Sequence, residues 1–208
     1  MPDPDDDADT DDVGANGDTD DAGADADPGA DFGGDVRIVK YDPEWPVHYD
    51  RERERIEGAL DPEQYVRIEH IGSTSVPGLD AKDIVDVLLV VPDEETAWNC
   101  VGPLESVGYE FHREWERREF RLGLGRWPDD GQRVNLSVRT ENGDDWRRNL
   151  LLRDYVRDHP AARDEYERVK YEAAAAHAEE LIEYTRAKSD VVESIVERAR
   201  EAGYGERL

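Results

Sequence analysis

One cysteine (Cys100), one methionine and four lysines are all that 208 residues contain of these types. A single thiol cannot form an internal disulfide, and Cys-rich zinc modules are excluded. No run of about 18 apolar residues occurs, which excludes a membrane-spanning helix. The first residues are acidic and lack an apolar segment, so they do not read as a standard secretory leader, and the expected compartment is the cytoplasm. Bases are scarce as well: 26 Lys and Arg face 53 Asp and Glu, for a formal net charge of -27. A broad basic face that neutralises nucleic-acid phosphates is therefore not expected. Two catalytic signatures are also missing. There is no G-x-x-x-x-G-K-[ST] phosphate loop, and Gly72-Ser73-Thr74-Ser75-Val76 does not satisfy G-x-S-x-G.

The charge that is present is unevenly placed. Residues 1–35 hold 14 Asp, no Glu and no base. With almost no large side chains, that segment cannot bury enough apolar surface to offset its ordering entropy, so it reads as a disordered, solvating tail. The remaining 36–208 carry 39 acids against 26 bases, and 22 of the bases are Arg. High net charge keeps a protein soluble at a cost in self-repulsion. The composition resembles that of proteins from salt-accumulating halophiles, so most surface acids read as adaptation to salt.

Periodicity gives the expected elements. Val36–Val39 alternates like an edge strand. Asp42-Pro43 reads as a cap with proline at the first helical position, and Trp45, Tyr49, Ile56 and Leu60 lie on one face of the helix that follows. Gln64–Ile71 reads as a strand and Gly72–Lys82 as a loop. Ile84–Val91 is apolar on both faces and should be a central strand, and Glu94–Val107 reads as a helix. Phe120, Leu122 and Leu124, then Val134, Leu136 and Val138, alternate around the turn sequence Trp127–Gly131, which predicts a hairpin. From Asp144 onward the pattern is helical, broken at Pro160, with Asp190 and Glu193 as a final cap and Gly203 as a stop. The expected fold class is α/β (α+β): an α/β core over 36–142 and a helical part over 143–208.

Residues 68–91 carry the chemistry. A Gly-Ser loop between two strands offers backbone N–H groups and the hydroxyls of Ser73, Thr74 and Ser75 to phosphate oxygens, and Lys82 adds positive charge. Asp86 stands among Ile84, Leu88 and Val90. A carboxylate in a buried strand is costly unless paired, hydrogen-bonded or metal-bound. It serves either as a structural acceptor for loop amides or as a ligand for a divalent cation held with phosphates. Arg147, Arg148, Arg153 and Arg157 share a predicted helix, where they either bind an anion or pair with acids. Tyr184 and Lys188 lie four apart on another predicted helix and share a face.

The run IEHIGSTSVPGLDAKDIVDV resembles the signature of the GrpB family, small proteins of the nucleotidyltransferase superfamily. Tyr41-Asp42-Pro43-Glu44-Trp45, Gly108-Tyr109, Arg153-Asp154-Tyr155, His159-Pro160, Tyr166, Lys170, Tyr184 and Lys188 resemble further family positions in the same order. The resemblance covers about 38–200. It implies a nucleotidyltransferase-like mixed sheet with flanking helices. Phosphates would lie on Gly72, Ser73, Thr74, Ser75, Lys82, Arg153 and Lys188, with Asp86 as the catalytic acid and Mg²⁺ on Asp86 and Asp83.

The sequence departs from the superfamily's carboxylate set. Leu88 stands where a second acid is expected, and Asn135 and Ser137 occupy the later strand where the family commonly has a His-x-His type pattern. Asp83 follows Lys82 where the family usually has Pro. Two-metal transfer needs several carboxylates, and Asn135 cannot act as a base. Two readings follow. One is a metal-assisted nucleotidyl or phosphoryl transferase acting on a small acceptor; the other is a non-catalytic module that binds a nucleotide or another anionic metabolite. Either way the partner is a small molecule, with no membrane involved.

Overall fold

The computed structural model describes residues 36–208 except 117–119 and 129–130. The acidic tail over 1–35 and part of the 127–131 turn thus lie outside the described residues. The sheet has five strands: β1 (Arg67–Ile71), β2 (Ile84–Val91), β3 (Glu110–Glu116), β4 (Phe120–Arg126) and β5 (Arg133–Thr140), in the order β1-β2-β5-β4-β3. β2 pairs parallel with β5, and the other pairs are antiparallel, so the sheet is mixed. The helices are α1 (Trp45–Ala59), α2 (Glu94–Ser106), α3 (Asp145–Asp158), α4 (Pro160–Ala176), α5 (Leu181–Ala187) and α6 (Ser189–Glu201).

The apolar run Ile84–Val91 is the strand that the sequence predicts, flanked on both sides, and every residue in it except Asp86 is buried. Side chains alternate across a strand. Val85, Val87, Leu89 and Val91 therefore join Trp45 and Ile56 of α1 and Ala97, Cys100 and Leu104 of α2 in the main core. Leu88 and Val90 pack on the other face against Trp146 and Leu150 of α3. Asp86 shares this second face. The predicted hairpin is β4 and β5, with Leu122 opposite Val138 and Leu124 opposite Leu136.

Four boundaries differ from the sequence reading. Asp42 does not open α1: its carboxylate accepts from Glu44 N at 2.9 Å in a local turn, and the helix starts at Trp45. β1 begins at Arg67 rather than Gln64, because Pro62–Gln64 form a short 3-10 turn in which Asp61 and Gln64 cap each other. Val36–Val39 contributes an isolated bridge between Val39 and Ala81 instead of an edge strand. α6 starts at Ser189, with Lys188 at its cap and no side-chain cap bond. Asp190 therefore lies inside the first turn, where the helix dipole favours an acid.

Candidate functional site

β1 ends at Ile71, directly opposite Asp86 on β2. The chain leaves the sheet at Gly72, whose φ is +69°. A Cβ at this position would lie 2.3 Å from Asp86 Oδ2, so the turn passes the carboxylate only because residue 72 has no side chain. Ser73–Ser75 then make one 3-10 turn. The Ser75 hydroxyl donates to Gly72 O at 2.6 Å and closes that turn from within.

This corner forms one wall of a cleft of about 150 Å³ between the sheet and the helical half. Gly72, Ser73 and Thr74 line it from the turn, Lys82 from the loop, Asp86 from β2, and Asn135 and Ser137 from β5. Arg148 and Asn149 of α3, Tyr166 of α4, Tyr184 and Thr185 of α5, and Lys188 close the other side. Asn135 is the register partner of Asp86 across the parallel pair, and its Nδ2 donates to Asp86 Oδ1 at 3.0 Å.

Six of the residues singled out in the sequence thus meet here: Gly72, Ser73, Thr74, Lys82, Asp86 and Lys188. Three do not line the cleft. The Ser75 hydroxyl is turned back on its own loop. Asp83 accepts from Trp45 Nε1 at 2.9 Å and from Gln132 Nε2 at 3.2 Å, which ties the loop to α1 and leaves Asp86 without it. Arg153 donates to Glu69 at 2.8 Å, to His70 O at 3.0 Å and to Asp154 at 2.7 Å, so it fastens α3 to β1. Arg157 does similar work on Ser75 O, at 3.0 and 2.7 Å. Of the four helix arginines, Arg148 is the one on the cleft, while its guanidinium also pairs with Glu193 at 2.8 Å.

Sequence reasoning misses Asn149, Tyr166 and Thr185 as site residues, and reads Asn135 and Ser137 as losses. A signal for Asn149 lies in its place beside Arg148. Tyr166 is legible as a position that resembles the family, with no role at a cleft attached to it.

The hydroxyls and rings around the cleft are mostly engaged. Tyr166 is hydrogen-bonded with the Ser73 side chain, and burial raises its phenol pKa. Burial likewise holds the Tyr184 phenol well above its usual range. Thr74 Oγ1 lies 3.1 Å from His70 Nε2. His70 stacks on Tyr49 at 4.8 Å, and burial, with help from Arg157 and Arg153, pushes its pKa down to about 3. It is a neutral support for the turn, outside the proton chemistry of the cleft.

The oxygens present suit one hard cation. Asp86 offers a carboxylate, and Asn135 Oδ1 is buried with no hydrogen-bond partner among the described residues. Mg²⁺ is commonly held by one or two carboxylates, with substrate phosphates and water completing its shell. Two cations would need more acids. Among the described residues no group of three His, Cys, Asp or Glu could hold a metal ion.

A family model described as "GrpB protein" matches residues 35–198. A UPF0157 protein of Halalkalibacterium halodurans is 40% identical over 165 residues, 79% of this chain and 82% of that one. The crystal structure of conserved protein GrpB from Enterococcus faecalis superposes with a TM-score of 0.71 at 28% identity, covering 81% of this chain and 99% of that chain. A dephospho-CoA kinase of Mycobacterium tuberculosis is 28% identical over 176 residues, 74% of this chain but 43% of that protein.

Proposed function

The chain belongs to the GrpB family, and on that premise we propose that its cleft binds the phosphates of a nucleotide with one Mg²⁺ and supports nucleotidyl or phosphoryl transfer to a small acceptor. The observation that carries this reading is the convergence of the Gly72-Ser73 turn, Lys82, Asp86, Asn135, Arg148 and Lys188 on one cavity. The mixed sheet, the Gly-Ser turn after β1 and the acid on β2 keep the nucleotidyltransferase-like fold that the sequence implied.

The division of labour follows from the chemistry of each group. Gly72 lets an anion approach the backbone closely, and the turn supplies N–H and hydroxyl donors. Lys82 and Arg148 place positive charge beside the phosphates, Arg as a planar fork and Lys as a point charge. Asp86 and the Oδ1 of Asn135 would hold the cation, which when bound neutralises developing charge on the phosphate oxygens. Catalysis in such a site is positioning plus electrostatics.

One observation favours a second reading, binding without turnover: Leu88 and Ser137 are paired where further acids would be needed to activate an attacking hydroxyl. Calorimetric titration of the full chain with ATP, GTP and CoA-type ligands, with and without Mg²⁺, separates the cases. CoA-type ligands are included because a dephospho-CoA kinase carries a related segment. The transferase reading expects nucleotide affinity to rise at least tenfold with Mg²⁺, about 1.4 kcal/mol. Tight but metal-independent binding would support the second reading, and no binding of any of these ligands would defeat both.

A further inference from the structure

Lys188 sits at the junction of two helices: α5 ends at Ala187 and α6 begins at Ser189. Its Nζ lies over the Tyr184 ring, 4.1 Å from the centroid, and the residue lines the same cleft as Gly72, Ser73 and Asp86. Among the described residues its Nζ makes no hydrogen bond, and no carboxylate stands within ion-pair distance of it. Several other nucleophile candidates around the cleft are already engaged. The Ser73 hydroxyl is bonded with Tyr166, Thr74 is held against His70, and both tyrosines are kept protonated by burial.

From this placement, and resting on the nucleotide reading above, we infer that Lys188 is the cleft's nucleophile: its Nζ attacks the α-phosphorus of a bound nucleoside triphosphate and forms a covalent lysyl-nucleotidyl phosphoramidate. The Nζ lone pair makes the new N–P bond. The bond from the α-phosphorus to the bridging oxygen breaks, and its electron pair leaves with pyrophosphate. The Nζ proton lost on forming the phosphoramidate passes to pyrophosphate or to water. The acceptor oxygen then attacks the same phosphorus, the P–N bond breaks with its electron pair on Nζ, and the acceptor's hydroxyl proton passes to that nitrogen, which regenerates the amine.

Two features support the step. Leu88 stands where a second acid is expected, and Asn135 and Ser137 on the later strand cannot deprotonate an attacking hydroxyl, whereas the neutral form of an amine needs no such base. The surroundings also keep the amine near neutrality. Burial and the neighbouring Lys82 lower the Lys188 pKa to about 7, against an opposing pull from Asp86. Lys170 lies close by on α4, and its own pKa is lowered to about 7 by burial and by Lys188. Unlike Lys188, it is committed to the Asp80 carbonyl.

The test is intact-mass measurement of the full chain after incubation with Mg²⁺ and ATP, GTP, CTP or UTP, followed by peptide mapping. The expected result is a mass gain of one nucleotidyl group on Lys188 with at least one of the four, lost in acid and stable in alkali, as a phosphoramidate is. Lys188→Arg should gain no mass even at nucleotide concentrations that saturate it, since a guanidinium stays charged. Wild-type protein that binds nucleotide without any adduct, or carries the adduct on another residue, overturns this inference and leaves the binding proposal standing. Wild-type protein that binds no nucleotide overturns both. Mapping of the wild type decides even if the variant fails to fold.

Discussion

Gly72→Ala is expected to lower the stability of the chain by roughly 2–4 kcal/mol, from left-handed backbone strain plus overpacking. Gly72 has a φ of +69°, a region that costs an L-residue free energy. The added methyl would stand 2.3 Å from Asp86 Oδ2, and the neighbour is a short side chain on a central strand with little room to yield. At roughly 2–4 °C per kcal/mol for a chain of this size, melting should fall by about 5 °C or more. Because the same shift opens the phosphate turn, nucleotide affinity should fall at least tenfold, or about 1.4 kcal/mol. Gly58→Ala is the control. That residue lies within α1, and a Cβ added there would meet nothing within 4 Å, so the change should be neutral or stabilise by up to about 1 kcal/mol. Equal melting of the two variants would show that the corner is not built around Asp86.

Asp86→Asn should separate binding from folding. The amide oxygen of the new side chain can still accept from Asn135 Nδ2, the bond now made at 3.0 Å. Losing the charge also removes the desolvation cost of a half-buried carboxylate. Melting of the ligand-free variant should therefore stay within a few degrees of wild type or rise. Affinity for Mg²⁺-nucleotide should fall at least tenfold, about 1.4 kcal/mol. A drop of several degrees with unchanged affinity would make Asp86 a structural acceptor and retire it as a cation ligand.

These two neighbours also show what a sequence can reveal. The Gly-Ser corner and the acid on the following strand are legible because IVDVLLVV is apolar on both faces, so a carboxylate within it stands out. The opposite wall is less legible. Arg148, Arg153 and Arg157 read alike on one helix, and only their contacts separate them. Arg153 and Arg157 reach β1 and its turn, while Arg148 reaches the cleft. Asp83 stands close to Asp86 in sequence, but Trp45 and Gln132, from distant parts of the chain, hold it elsewhere. Periodicity puts Lys188 on a helix face shared with Tyr184. The chain breaks between α5 and α6 at that point, which leaves the amine over the ring and in the cavity. Strand periodicity is local and survives in sequence, whereas pairing between distant side chains does not.

The most direct measurement of the central claim is a crystal structure of the full chain grown with Mg²⁺ and a non-hydrolysable nucleoside triphosphate. The account predicts phosphate density against the Gly72–Ser73 turn and Lys82, with one cation between those oxygens and Asp86. Phosphates bound away from this cleft, or crystals in which saturating nucleotide leaves it empty, would contradict it.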